Sequence, residues 1–233
     1  NTFIVTVPSW RATKDVSHKY DLIEEIARLH GYENIAPQLP VLPTNLPEEN
    51  LERRRKHEAR KILSLALNCN ETINYSFYSA QTVKNCLLEE HSHLKIENYL
   101  SEDQTHLRTT LLPNLLKNCA ENSKNRPVFN LFEFGRTYKK QSAFFPAEEK
   151  WLGILSRIEK KQAGEIFYQI KGITETFLKE FKIPHISINK AQSAPAYFHP
   201  GKAAEITINK EIIGYVGEIN PLVQINFDPA AII

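Results

Sequence analysis

Four carboxylates lie within eleven residues near the start of the sequence, at Asp15, Asp21, Glu24 and Glu25. At about 100° per residue on a helix, the last three share an arc of about 100°, and Asp15 can fold back onto the same face. Two carboxylates about 4 Å apart near a surface repel by roughly 4 kcal/mol. A helix N-terminus returns only about 0.3–1 kcal/mol per acid. If the four carboxylates converge, a bound cation is therefore favoured.

The ligand chemistry of this acidic cluster would suit magnesium. Carboxylate oxygens are hard ligands, and magnesium uses few of them while keeping several waters. The alternative is a capped helix with a solvated acidic face, in which Arg28, one turn on, neutralises Glu24 or Glu25. Spacing alone leaves both interpretations open.

The helix that carries the cluster is predicted to begin at Asp21, because Asp21 and Glu24 have the spacing of a capping box. Its buried stripe is predicted from the apolar residues at helical spacing, which are Leu22, Ile23, Ile26 and Leu29. Gly31 stands where a left-handed residue ends a helix. Upstream, the apolar run from Phe3 to Val7 predicts a strand that Pro8 ends.

The composition is that of an ordinary globular protein. Of the 233 residues, 24% are charged and 42% are apolar, and the formal charge of +2 is too small to imply nucleic-acid binding by itself. No apolar run approaches the length of a membrane span, and nothing resembles a signal peptide. Three cysteines far apart in the sequence, Cys69, Cys86 and Cys119, indicate reduced thiols and a cytoplasmic location. The sequence opens within a predicted strand, so we expect it to be part of a longer protein.

The domain boundary is predicted in a proline-rich connector. Four prolines between residues 37 and 47 make an extended linker. This divides the chain into a small part over residues 1–36, the linker over 37–47, and a large domain over 48–233.

The large domain is predicted to open with a long helix from Glu48 to Leu67. Its buried stripe is predicted at Leu51, Ala59, Ile62, Leu63 and Ala66. Arg55 falls within this apolar arc, which suggests a paired acid or a subunit interface. The alternation from Glu71 to Tyr78 predicts a half-buried strand with Ile73, Tyr75 and Phe77 on the buried side.

Further along, the pattern alternates between helices and strands. Pro113 stands in the first turn of a predicted helix, Phe129 to Tyr138 predicts a central strand, and Phe167 to Phe181 predicts a helix. The tail predicts a hairpin of Ala203–Ile208 and Glu211–Ile219. Strands in meanders with flanking helices indicate an α+β fold with an antiparallel sheet flanked by helices.

Several segments together resemble one family. Val-Pro-Ser-Trp-Arg from Val7, Asp-Leu-Ile-Glu-Glu-Ile-Ala-Arg from Asp21, and Gly-Tyr-Glu-Asn-Ile from Gly31 are similar to the β subunit of bacterial phenylalanyl-tRNA synthetase. The resemblance implies that residues 1–36 are the C-terminal part of a winged-helix-like module. It also implies that residues 48–233 are a class II synthetase-like, non-catalytic core.

The resemblance also implies a cofactor and partners. In that family four acids of the first segment are assigned to a Mg2+ ion shared with the α subunit, and they carry over to Asp15, Asp21, Glu24 and Glu25. The family usually has an Asp two residues after the Arg of Ser-Trp-Arg, whereas here three other residues precede Asp15. We expect Arg55 and Ile62 to lie at the interface with the α subunit. The implied assembly has two α and two β subunits, with tRNA bound through the full-length subunit.

The resemblance places the chemistry on the α subunit. Class II synthetases that make an adenylate carry two arginines that clamp the ATP phosphates, a task that suits the rigid guanidinium fork. Arg136 is the only candidate in its strand, and no arginine occurs after Arg157. We therefore expect part of a phenylalanine–tRNA ligase that is inactive alone and supports ATP-dependent aminoacylation by its partner. The alternative is a free-standing nucleic-acid-binding module.

Overall fold

The computed structural model describes residues 2–141, 145–159, 165–228 and 231–233, with only the backbone of Ala231 and Ile232. The chain forms two compact units, Asn1–Glu49 and Asn50–Ile233. None of the helices in these ranges is long and apolar enough to cross a membrane.

The small unit is built on one helix, α1, over Lys19–His30, followed by a 3-10 turn over Tyr32–Asn34. The helix begins two residues before the predicted start. Asp21 occupies its third position, and one carboxylate oxygen accepts hydrogen bonds from the backbone N–H groups of Ser17 and His18, both at 2.7 Å. The predicted capping box is wrong in register, because Asp21 is the acid that reaches back and not the N-cap residue.

Gly31 ends α1 as predicted, with a positive φ of 89°. This backbone angle favours glycine, while the atoms nearest to a Cβ built here are the ends of the mobile, exposed side chains of Glu33 and Asn34. Its N–H donates to the carbonyl of Ala27 and closes the last turn.

The apolar stripe of α1 is not buried, contrary to the sequence interpretation. Ile23, Ile26 and Leu29 are 56%, 69% and 79% exposed. The predicted strand from Phe3 to Val7 is also wrong, because a strand needs a ladder neighbour and none pairs with this run within the described residues.

The large unit contains five helices and nine strands within its described residues. The helices are α2 (Leu51–Lys61, extended by a π-helical turn over Ile62–Ala66), α3 (Ala80–Asn85), α4 (Leu112–Asn122), α5 (Ile166–Glu180) and α6 (Pro221–Gln224). The strands are β1 (Cys69–Glu71), β2 (Phe77–Tyr78), β3 (His106–Leu107), β4 (Phe129–Lys139), β5 (Ala147–Glu159), β6 (Ile186–Lys190), β7 (Phe198–Ile208), β8 (Glu211–Ile219) and β9 (Ala231–Ile232).

These strands form three sheets, ordered β1-β4-β5-β9, β2-β3 and β6-β7-β8. The centre is the antiparallel β4–β5 hairpin, paired from Phe129 with Arg157 to Lys139 with Ala147. The structure thus confirms the mixed α+β class. It departs from a purely antiparallel sheet because β1 runs parallel to β4.

The hairpin separates two apolar clusters, because successive residues of a strand face opposite sides. One face, with Leu131 and Leu155, packs against α4. The other face, with Phe132, packs against α2, α5 and the three-stranded sheet. The fully buried Phe132 holds these layers together, and removing such a side chain typically costs about 3–5 kcal/mol.

The long first helix and the strand after it differ from their predictions. Asn50 caps α2 by accepting the N–H of Arg53 at 2.9 Å, so the helix begins at Leu51 and not at Glu48. Two residues of the predicted buried stripe are exposed. Leu51 lies in the first turn of α2, and Ala66 lies in the π-helical turn, where the rotation per residue differs from that of an α-helix.

The predicted strand from Glu71 to Tyr78 is interrupted by an inward-turned asparagine. The amide nitrogen of Asn74 donates to Asn118 at 2.8 Å and to Glu133 at 2.9 Å. This turn reverses the expected alternation, so Ile73 and Tyr75 are 90% and 75% exposed. The hydrogen bonds that Asn74 makes in the core therefore override the local apolar pattern.

Candidate functional site

Arg11 occupies the centre of the acidic cluster. Its Nε donates to Asp15 at 2.7 Å, and its Nη2 donates both to Asp15 at 3.1 Å and to Glu25 at 2.8 Å. One guanidinium nitrogen thus binds the carboxylates of both residues. The structure brings Asp15 and Glu25 together, as the sequence analysis expects, but it does so through a cation of the chain itself.

The other members of the cluster have different surroundings. Glu25 also accepts a hydrogen bond from Arg28 at 2.6 Å, which is the neutralising contact of the solvated-face alternative. Asp21 is engaged in capping α1 through Ser17 and His18. Glu24 is exposed and forms no ion pair within the described residues.

These contacts lower the pKa values of three carboxyls. Hydrogen bonds from Arg11, and then from Arg28, lower the pKa of Glu25 to about 2. The hydrogen bond from Arg11 also lowers the pKa of Asp15, and the backbone N–H of Ser17 lowers that of Asp21. These three carboxyls, Asp15, Asp21 and Glu25, therefore stay ionised at neutral pH.

The donor chemistry suits magnesium, but the arrangement does not. All four predicted ligands are carboxylates. In the described part of the chain, however, no three His, Cys, Asp or Glu side chains are grouped so that they could hold a metal ion. Arg11 stands where a cation shared by Asp15 and Glu25 would have to lie. The magnesium set therefore stays a prediction.

The two predicted interface residues lie on the same helical segment in different environments. Arg55 is exposed, and no acid pairs with it within the described residues. Ile62 is half-buried and packs against the cluster that contains Phe132. Two other cations of α2 lie over the ring of Phe134 on strand β4. The Nζ atom of Lys56 lies 5.4 Å from the ring centre, and the Cζ atom of Arg60 lies 5.7 Å from it.

A buried histidine network around His93 has no counterpart among the sites that the sequence predicts. His93 is 5% exposed, and its Nε2 lies 2.7 Å from the Tyr78 hydroxyl and 3.1 Å from that of Thr109. Its Nδ1 lies 2.8 Å from the carbonyl of Glu89. Burial lowers the pKa of His93, so the ring is held neutral. The network joins β2 to the turn before α4, a structural role.

The core holds its candidate catalytic groups in structural contacts. Arg136 donates to Glu148 at 2.8 Å on the neighbouring strand, and Arg157 forms a buried ion pair with Asp228 at 2.6 Å. The three cysteines are free and buried, and burial raises the pKa of the Cys119 thiol to about 12. The thiols and Arg157 are therefore buried in structural contacts, whereas the pair of Arg136 with Glu148 lies at the surface.

Comparison with protein families identifies the relatives of this fold. A family model described as the phenylalanyl tRNA synthetase beta chain CLM domain matches residues 35–231. The chain belongs to the phenylalanyl-tRNA synthetase β-chain family. A second model, the tRNA synthetase B5 domain, matches residues 1–32 of this β chain.

Curated β subunits of this family agree over most of the sequence. The phenylalanine–tRNA ligase β subunit of Solibacter usitatus is 34% identical over 224 residues, which are 94% of this chain and 28% of the relative. That of Carboxydothermus hydrogenoformans is 36% identical over 239 residues, covering 96% of this chain and 29% of the relative. The chain thus spans less than a third of these β subunits. A free-standing nucleic-acid-binding module is not favoured.

Solved structures place the β-chain core among class II synthetase folds. The pyrrolysyl tRNA synthetase PylSc of Desulfitobacterium hafniense matches with a TM-score of 0.59 at 10% identity, over 78% of this chain and 63% of that chain. A second structure of pyrrolysyl-tRNA synthetase from the same organism gives a TM-score of 0.60 at 11% identity. At such identities the likeness concerns the fold alone.

The role of Arg11 can be tested through the titration of Glu25. Replacing Arg11 by Gln removes the largest cause of its low pKa, so the pKa of Glu25 should rise from about 2 toward its ordinary value. Carbon NMR of the Glu25 carboxyl group across a pH titration measures this directly. Arg53→Gln, on α2, is the matched control. An unchanged midpoint in Arg11→Gln would contradict the central position of Arg11.

Proposed function

We propose that this chain is the part of a phenylalanyl-tRNA synthetase β subunit that supports the α subunit. In this proposal the complex attaches phenylalanine to its tRNA with ATP, the α subunit binds ATP and carries the chemistry, and the full-length β subunit contacts tRNA. The assembly contains two α and two β subunits in the cytoplasm. Membership of the β-chain family, shown over residues 35–231, is the observation that carries the proposal.

The surface around α2 supports a partner-binding role. Large apolar side chains are exposed on this helix and on the segment after β1, at Leu51, Leu65, Ile73 and Tyr75. Exposed apolar side chains of this size are typical of surfaces that a partner covers. Arg55 adds an exposed charge on the same helix that no acid of the described chain neutralises. We therefore place the α-subunit contact here, with Arg55 and Ile62 among its residues.

The pairing of both arginines of strands β4 and β5 with acids supports a non-catalytic core. Arg136 and Arg157 are bound to Glu148 and Asp228. Phosphate clamping needs guanidinium groups directed at the ligand, so their engagement favours a scaffold role for this domain.

Co-purification with an α subunit tests the interface. Arg55→Glu should weaken α-subunit binding by about tenfold or more, because a misplaced like charge in an interface is strongly unfavourable. Arg53→Glu makes the same charge change on the same helix outside the predicted apolar arc, and should bind like the original chain. Affinities from surface plasmon resonance give the comparison. Equal loss in both variants, or no binding by the original chain, would oppose the proposal.

For the small unit we propose the end of a winged-helix-like module whose acidic cluster takes Mg2+ only when Arg11 withdraws. The residues that would hold the ion are Asp15, Asp21, Glu24 and Glu25, joined by the α subunit. The ion would supply positive charge between these acids and the partner. Two observations support this proposal. All four residues offer carboxylate oxygens, which magnesium prefers, and Asp15 and Glu25 both accept hydrogen bonds from the same nitrogen of Arg11.

Calorimetric titration with Mg2+ tests the competition between Arg11 and the ion. Arg11→Gln should bind Mg2+ about tenfold more tightly than the original chain, because the competing cation is gone. Adding Glu24→Gln and Glu25→Gln in that background should abolish the gain. Arg28→Gln is a second comparison, since Arg28 contacts Glu25 but not Asp15. If Arg11→Gln binds no more tightly, or the acid-deficient variant binds equally well, the four residues are not the ligands.

A further inference from the structure

Two histidines are almost fully buried at the small sheet that β2 and β3 form. His93, directly after the 3-10 turn over Glu90–Ser92, is 5% exposed, and His106, in β3, is 3% exposed. Their rings are arranged edge to face, with centres 6.1 Å apart. His106 pairs with Tyr78 of β2 in the ladder, and the Tyr78 hydroxyl lies 2.7 Å from Nε2 of His93. Both titratable rings therefore lie where the two strands meet.

The hydrogen bonds around His93 require an uncharged ring. Nδ1 lies 2.8 Å from the carbonyl of Glu89, which can only accept, so Nδ1 carries the ring proton. The hydroxyl of Ser92 donates to the same carbonyl at 2.7 Å. Nε2 is then the acceptor for the hydroxyl proton of Tyr78, whose oxygen accepts the backbone N–H of Thr109 at 2.9 Å. A second ring proton would point at this oxygen and force the bond between His93 and Tyr78 to reverse.

The charges near the two rings act in both directions, and burial decides the balance. Burial is the largest cause that lowers the pKa of each histidine. The neighbouring ring of His106 adds to the lowering for His93, and the ammonium group of Lys95 adds to it for His106. The Glu89 carbonyl raises the pKa of His93, and the Glu90 carboxylate raises that of both rings. Glu90 is half exposed, however, and its Oε1 lies 4.0 Å from Nε2 of His106, beyond hydrogen-bond distance.

The other titratable groups around Tyr78 do not change charge at mildly acidic pH. Burial raises the pKa of Tyr78 itself, and it raises the pKa of the Cys86 thiol to about 12. Arg108, directly after β3, is a permanent cation in the buried pair with Glu133. The charge of this region therefore changes between pH 7.5 and pH 5.5 through His93 and His106.

We propose that the β2–β3 sheet is an acid-sensitive contact, which opens when His93 and His106 take up protons. The sheet has only two residue pairs, Phe77 with Leu107 and Tyr78 with His106, and so small a ladder is marginal without side chains that hold it. Opening lets both rings reach water, where the charged form is favoured. The inference concerns the large unit by itself and does not depend on the proposed function.

The direction of the pH effect follows from the lowered pKa values of the closed form. Because both histidines bind protons less readily in the closed form than in the open form, protons favour opening. The closed form keeps its full stability above the ordinary histidine pKa of about 6.5 and loses stability as the pH falls below that value. Between pH 7.5 and pH 5.5, each histidine favours opening by up to about tenfold, and the two together by up to about a hundredfold.

Hydrogen exchange followed by NMR at pH 7.5 and pH 5.5 tests the proposal. Protection factors correct for the effect of pH on exchange itself. They should fall by about tenfold or more at pH 5.5 for the amides of Ile96, Arg108 and Thr109, which donate to Thr105, Ser76 and Tyr78 and tie the two strands to the segment between them. The amides of the central strand β4 should keep their protection.

A double variant separates the buried histidines from other titrating groups. His93→Gln with His106→Asn places neutral amide groups near the bonded nitrogens, Nε2 of His93 and Nδ1 of His106, so the protection of the three amides should no longer depend on pH. His91→Gln is the matched control, because the His91 side chain lies in the same turn but is 82% exposed. This control should keep the full response. Circular dichroism checks that both variants are folded.

Four results would overturn the proposal. Equal protection of the three amides at both pH values would show that the contact does not open, and an equal fall in β4 would show global unfolding. A response that persists in the double variant would assign the effect to another group. The ring nitrogen shifts of His93 in the original chain give a test that needs no variant. A titration midpoint at or above the ordinary value, or a proton on Nε2 at pH 7.5, would contradict the proposal.

Discussion

The large unit depends on one buried ion pair between Arg108 and Glu133. Arg108 Nη1 donates to Glu133 Oε1 at 2.7 Å, and the two side chains are 3% and 2% exposed. Arg108 Nε donates to the carbonyl of Arg136 at 2.8 Å, and Asn74 donates to the second oxygen of Glu133. Gly135 makes room, because a Cβ there would lie 2.2 Å from Arg108 Nη2. Removing one partner of such a pair typically costs about 3–5 kcal/mol.

This pair decides which side chains reach the surface. It holds the segment after β1 and the turn before α4 against the central strand β4. To satisfy Glu133, Asn74 turns inward and its neighbours Ile73 and Tyr75 turn outward. The exposure of Ile73 and Tyr75, which form part of the surface that we assign to the α subunit, is thus a consequence of hydrogen bonding in the core. In the small unit, Arg11 likewise binds two acids from within the chain. In both units, arginine and carboxylate side chains, which often serve in catalysis, form ion pairs that stabilise the fold.

The sequence predicts the elements whose pattern is local. Pro113 and the apolar residues after it place α4, where Leu115 and Leu116 are buried, and the alternation from Phe129 places β4 to within one residue. The hairpin β7–β8 turns at Asn209 and Lys210, both with positive φ, as its short connection requires. Features set by distant partners were missed. The burial of His93 depends on Tyr78 and Thr109, and no local signal marks it.

The same distinction applies to the candidate site. Helical spacing groups Asp21, Glu24 and Glu25 and leaves Asp15 free to fold back, but it does not reveal that Arg11 lies between Asp15 and Glu25, because the loop that returns Arg11 has no periodic pattern. The apolar residues of α1 show a second limit of sequence patterns. Their helical spacing predicts that they share one face of the helix, but it does not predict whether another element covers that face.

We propose that this chain contributes structure and not chemistry to aminoacylation. ATP–pyrophosphate exchange with phenylalanine measures adenylate formation directly. The account predicts background exchange for the chain alone at any concentration, and phenylalanine-dependent exchange only when an α subunit is present. Exchange above background by the chain without an α subunit would contradict it.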